Sequence, residues 1–115
     1  MKVIDVSTEF ALIEDVDSPT VSYRMLCEEA LNIPPTDHEG RPIGFSVSVM
    51  DQRLPVIAKI KNEKGSKVEL EDAEMDVLVA CVDQLKFRIL HQGFIDFVSA
   101  IHAAQKEESA KARKI

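Results

Sequence analysis

Apolar positions recur with a helical period over most of this chain. The clearest stretch is Leu70–Leu85. Met75, Leu78, Val79, Val82 and Leu85 fall at three- and four-residue spacing, which is one face of a helix. Val77 and Cys81 widen that face, while Asp72, Asp76 and Asp83 form a narrow polar stripe interrupted by Ala80. So wide an apolar arc predicts a helix covered on most sides. Its start is legible as well. Leu70 precedes the expected N-cap, Glu71, and is placed to pack on Met75 as a hydrophobic staple, with Glu74 reaching back as the acid of a capping box. Glu71 is a poor capping residue type. Asp72 and Glu74 suit the positive end of the helix dipole, where each contributes about 0.3–1 kcal/mol. The acidic cluster is therefore explained without a metal.

The same pattern, read from the N-terminus, predicts shorter elements. Lys2–Val6 is β-branched and apolar and reads as a strand; Ser7-Thr8-Glu9 would turn it and Phe10–Ile13 return it as a hairpin. A single helical turn capped by Ser7 competes with that reading. Ser18-Pro19 has the form of a helix start, and Tyr23, Leu26, Cys27, Ala30 and Leu31 then share one face until Asn32 and Pro34-Pro35 end it. Ile33–Gly44 is a long loop holding three of the five prolines and two of the four glycines. Phe45–Asn62 carries two patterns. Phe45, Val47 and Val49 alternate like a strand, whereas Val49, Met50, Leu54, Ile57 and Ile60 suit a helix. Helix is the expected state, kinked or begun at Pro55, with Lys59, Lys61 and Lys64 near its end and Gly65 as its stop. Lys67–Leu70 reads as an extended link. Beyond Leu85, Gly93 breaks or bends the chain, and Phe94, Phe97, Val98 and Ile101 form a last amphipathic helical face. Gln105–Ile115 has no long apolar face and reads as a frayed or disordered extension.

These elements describe a mainly α fold, a small four- to five-helix domain over residues 1–104 with a short N-terminal β-hairpin, followed by a tail at 105–115. The length of 115 residues fits one domain with a modest core. Hydrophobic residues make up 45% and aromatics only 5% without Trp, so that core is aliphatic. A net charge of −6 argues against direct nucleic-acid binding, which depends on Lys and Arg neutralising phosphates. No apolar run approaches a membrane span, and Asp5 and Glu9 interrupt any N-terminal signal region. Cys27 and Cys81 each sit in an apolar helical context and read as reduced, buried thiols.

Candidate chemistry is sparse. Asp37-His38-Glu39 has the residue types of a metal or acid–base site, but three neighbours in a loop converge on one ion only with help from elsewhere; they read as a solvated turn. His91 and His102 are eleven residues apart, which is not a zinc spacing. Neither a nucleophile–base pair nor a carboxylate pair is visible. The expectation is a protein with no catalytic residue, no cofactor and no metal.

Several short segments resemble the small accessory proteins encoded by tailed bacteriophages. They are Ile4-Asp5-Val6-Ser7, Ala30-Leu31, Asp51-Gln52-Arg53-Leu54 with Ile57-Ala58-Lys59-Ile60, and Val68-Glu69-Leu70-Glu71-Asp72-Ala73-Glu74. The likeness spans roughly residues 1–101 and departs at Pro55 and in the tail. It implies a setting, a virus acting in the cytoplasm of a bacterial host or in its virion, and no catalytic residue. With the missing chemistry, it makes the expected function a non-enzymatic protein–protein interaction factor, a morphogenesis accessory or minor virion component with a viral or host protein partner. The alternative is an acidic inhibitor of a host nucleic-acid enzyme or defence complex. The Phe94, Phe97, Val98 and Ile101 face is the expected partner or self-association surface, as a homodimer.

Overall fold

A computed structural model describes the backbone of residues 2–11, 20–87 and 90–112. Its elements, in order, are β1 (Lys2–Asp5), β2 (Glu9–Ala11), β3 (Thr20–Ser22), α1 (Tyr23–Leu31), α2 (Val47–Asn62), β4 (Lys67–Leu70), α3 (Asp72–Val82) and α4 (Gln92–Ala112). The fold is mainly helical with two short antiparallel strand pairs.

The strands pair differently from the expected hairpin. β1 pairs with β4, with Ile4 opposite Val68, and β2 pairs with β3, with Phe10 opposite Val21. The turn after β1 explains this. The Asp5 carboxylate accepts from the Ser7 amide at 2.8 Å and the Ser7 hydroxyl at 2.7 Å. That knot holds the Asp5 carboxyl below the usual carboxylate range, the Ser7 hydroxyl being the largest cause. It lacks the Gly or Asn that a tight hairpin needs, so the chain leaves the β1 plane. The link Lys67–Leu70 supplies the missing partner, because Val68 and Leu70 alternate inward as Ile4 does. Leu12, Ile13 and the Ser18-Pro19 start lie outside the described residues.

α1 begins later than expected. Thr20–Ser22 is strand, and Ser22 is the N-cap, its hydroxyl accepting the Met25 amide at 3.1 Å. Two backbone bonds fix the junction: the Tyr23 amide donates to Thr8 O at 2.9 Å and the Arg24 amide to Val6 O at 3.2 Å. The apolar face is the expected one, with Tyr23, Leu26, Cys27, Ala30 and Leu31 buried, and Asn32 ends the helix.

α2 runs unbroken through Pro55 and starts at Val47, capped by Ser46, whose hydroxyl accepts the Val49 amide at 3.2 Å. Its buried face is rotated from the expected one. Val56 and Ile60 are buried, Val49 and Ile57 are half-buried, and Met50 and Leu54 lie in solvent. Two arginines set this rotation. Arg53 of α2 donates to the Leu31 carbonyl at 3.2 Å and the Ile33 carbonyl at 2.5 Å, at the C-terminal end of α1. Arg24 of α1 donates to the Ile60 carbonyl in the last turn of α2 and to Gly65 O at 3.0 Å. Each helix thus places a cation on the orphan carbonyls of the other, where the dipole is negative. With Arg53 turned inward, Leu54 and Pro55 must face out.

α3 is the organising helix. Glu71 is its N-cap, and the Glu71 amide donates to Glu74 Oε1 at 2.9 Å, as the capping box requires. The same oxygen meets Lys59 Nζ at 2.5 Å, which ties α3 to α2. Burial would raise the Glu74 carboxyl, but the Lys59 and Glu71 hydrogen bonds and the Lys59 charge outweigh it and hold it below its ordinary value. Met75, Leu78, Val79, Cys81 and Val82 are buried; Leu85 lies just past the helix and is half-buried. The core joins these to Ile4, Val68 and Leu70 of the strands, to Val6 just after β1, to the α1 face and to α4.

α4 packs on β1 and α3. His91 Nδ1 accepts the Gly93 amide at 2.9 Å at its start. His102 meets Asp83 at 2.7 Å, and Gln105 donates to Asp76 at 2.9 Å. Gly93 is there for space. A Cβ at this position would sit 2.5 Å from Cδ2 of Phe10, whose ring stacks on His91 at 5.0 Å and meets Phe94 edge-on at 5.3 Å. Gly93→Ala should therefore lose stability. Overpacking costs about 1–3 kcal/mol, against a helix-propensity gain of about 1 kcal/mol. The loss should vanish in a Phe10→Ala background. Denaturant midpoints of the four proteins in that cycle check it.

Candidate protein-interaction surface

The C-terminal face expected from the sequence to be a self-association surface is occupied within the chain. Phe97 and Ile101 are fully buried, Phe94 nearly so, and Val98 is partly buried against the same core. Tyr23 meets Phe97 edge-on at 5.1 Å, and Phe87 stacks on Phe94 at 4.0 Å. A face covered by α1, α3 and β1 is not free for a second copy. The reason is topological: β1 and the α1 start come together beside α4, which the linear pattern does not reveal.

Among the described residues, Leu90 and Ile95 stand exposed singly near the start of α4, and the longest run of uncovered apolar side chains lies before and along α2. Ile43 is 63% exposed, Phe45 37%, Val47 73%, Met50 42% and Leu54 59%. Val47, Met50 and Leu54 are spaced by three and four and share one side of α2; Ile43 and Phe45 lead into it. Runs of large side chains left in water mark interaction surfaces in folded proteins.

This ridge stands on a braced base. In the loop before α2, the Asp37 carboxylate accepts the Glu39 and Arg41 amides, both at 2.9 Å, and Arg41 Nε at 3.2 Å. These bonds, the Arg41 amide foremost, hold the Asp37 carboxyl below its ordinary range. Gly40, at φ +83°, makes the turn, and Thr36 bridges to Pro42. The Ile43 amide donates to Pro35 O at 3.0 Å. Gly44, at φ +81°, turns the chain into α2, a conformation that glycine adopts without steric cost. The Arg53 guanidinium, already anchored on α1, lies over the Phe45 ring at 5.5 Å. Asp37-His38-Glu39 is thus a structural turn whose leading carboxylate is consumed by its own loop.

The remaining chemistry-bearing groups are engaged or dispersed. Asp76 of α3 and Asp83 at its C-cap bond to α4, so they do not form a free acidic face. Cys27 and Cys81 are free, buried thiols. Burial pushes the Cys27 thiol up to about 12 and raises that of Cys81. Among the described residues, no group of three or more His, Cys, Asp or Glu could hold a metal, and no helix is long and apolar enough to cross a membrane. A hollow of about 700 Å³ is open and lined by Val3, Lys59, Lys67, Val68 and neighbouring polar residues. It lacks the enclosure of a small-molecule site.

The sequence pattern grouped Met50 and Leu54 with Val49, Ile57 and Ile60 as one helical set, without separating the sides on which they fall. Pro55 was the available signal. A proline inside a helix leaves the carbonyl four residues back without its bond and crowds it, which is tolerated best toward water. It marks its neighbour Leu54 as outward.

Comparison of the chain with protein families, with curated proteins and with solved structures finds no match.

Proposed function

We propose that this chain is a non-enzymatic protein–protein interaction factor that works through the ridge from Ile43 to Leu54. One observation carries this reading: five large apolar side chains stand in water on a loop and helix braced by Asp37, Arg41 and Arg53. A surface that needs no rearrangement before binding avoids the ordering cost that weakens flexible sites. The setting rests on the sequence resemblance to tailed-phage accessory proteins. In that setting the chain serves as a morphogenesis accessory or minor virion component, in the bacterial host cytoplasm or the particle, with a viral or host protein as partner.

Capture from bacterial lysate, with and without infection, tests the reading. Immobilised parent protein should retain partners that the Leu54→Glu variant loses, while the thermal midpoint of the variant stays at that of the parent because Leu54 is solvent-facing. Capture that is identical for both proteins would remove the ridge as the working surface.

A further inference from the structure

The outward side of α2 has a second property besides exposure. Val47, Asp51, Leu54, Ala58 and Lys61 recur at three- and four-residue steps, Met50 flanks them on the same side, and all six are exposed. They form one stripe along the helix, opposite the buried Val56 and Ile60. Charge along this stripe reverses sign from one end to the other. Asp51 stands toward the N-terminal end, Lys61 toward the C-terminal end, and Leu54 and Ala58 lie between them.

An antiparallel copy of the same stripe is its complement. If Leu54 lies level with Ala58 of the second copy, Asp51 lies level with Lys61 of that copy, and twofold symmetry repeats both pairings. A large side chain then meets a small one at the centre, as close helix packing prefers, and opposite charges meet at both ends. The helix dipoles oppose as well. A parallel arrangement would set Asp51 on Asp51 and Lys61 on Lys61. The stripe carries one charge of each sign, so the net charge of −6 on the whole chain does not forbid the contact. A twofold interface must be self-complementary, and the Asp51–Lys61 span of this stripe is, while Val47 and Met50 lie level with Gly65 and Asn62 of the second copy, at the edge of the contact.

We propose that the α2 stripe is a homodimer interface, in which two copies pack α2 against α2 in antiparallel fashion about Leu54 and Ala58. The assignment rests on the ridge being a protein-binding surface and names the occupant of its helical part as a second copy of this chain.

Light scattering after size exclusion, over a concentration series into the high micromolar range, reads the result. The parent should approach two chain masses, and Leu54→Glu should remain at one chain mass with the thermal midpoint that the parent shows at dilutions where it is monomeric. Asp51→Lys and Lys61→Asp should each weaken the dimer about tenfold, since each replaces two attractive pairs by two repulsive ones. The double reversal should return to near the parent value. A parent protein at one chain mass throughout would overturn the proposal; if ridge-dependent capture from lysate persisted beside it, the interaction reading would stand without the second copy. A dimer that survives Leu54→Glu, or a double reversal no better than either single one, would overturn it also.

Discussion

Phe97→Glu is expected to leave the domain predominantly unfolded. Phe97 is 0% exposed, in edge contact with Tyr23 and enclosed by a core that includes Ile101, Ile4 and Leu26. Removing a buried phenylalanine ring costs about 3–5 kcal/mol through lost transfer energy and the cavity left behind. A carboxylate in the same space adds an unpaired buried charge, whose cost is several kcal/mol or a forced protonation. A domain of this size has about 5–15 kcal/mol of stability, so the sum is comparable to the whole. Far-ultraviolet circular dichroism and a denaturant titration read it directly. Ile95→Glu, on the same helix but solvent-facing, is the control and should stay within about 0.5 kcal/mol of the parent. A Phe97→Glu protein that keeps its fold and drops from two chain masses to one would return the Phe94–Ile101 face to the role of a dimer interface.

The second large effect is chemical. Cys27 is 0% exposed and Cys81 4%. Reaction of a thiol with a disulfide reagent requires the thiolate. Burial pushes the Cys27 thiol up to about 12, which at pH 8 leaves about a thousandfold less thiolate than an ordinary cysteine carries. Access adds a further barrier, because the reagent meets either sulfur only when the core opens. Cys27 should therefore react at least about a thousandfold more slowly in the native protein than in denaturant, and Cys81, buried and with its thiol also raised, should be slowed in the same direction. Two thiols per chain should then appear together. A reductant should leave the thermal midpoint unchanged, since both cysteines are free. One thiol that labels in native buffer at the rate of an exposed cysteine would show that α1 or α3 is not covered as described.

Much of the helical layer was legible because its signals are local. The capping box of Glu71 and Glu74, the α1 face from Tyr23 to Leu31, and the free buried state of Cys27 and Cys81 all follow from residues within a turn or two of each other. Helical periodicity and capping are short-range effects, so a single chain displays them in its spacing.

The strand pairings, the rotation of α2 and the availability of the last apolar face are of another kind. β1 finds β4 more than sixty residues away, and nothing in Lys2–Asp5 itself names that partner over Phe10–Ile13. The inward side of α2 depends on Arg53 meeting the open carbonyls at the end of α1, a contact between segments whose own patterns are silent about each other. For the same reason the Phe94–Ile101 stripe and the Val47–Leu54 stripe look equally apolar in sequence, yet one is core and the other faces water. The sequence by itself determined the presence of the α1 and α3 helices and their apolar sides, and favoured helix for α2, since those are properties of neighbours along the chain. Only the tertiary structure decided which apolar side was left over for a partner, because covering a face requires another element to reach it, and that reach is set by long-range backbone pairing and by where two arginines find carbonyls to satisfy.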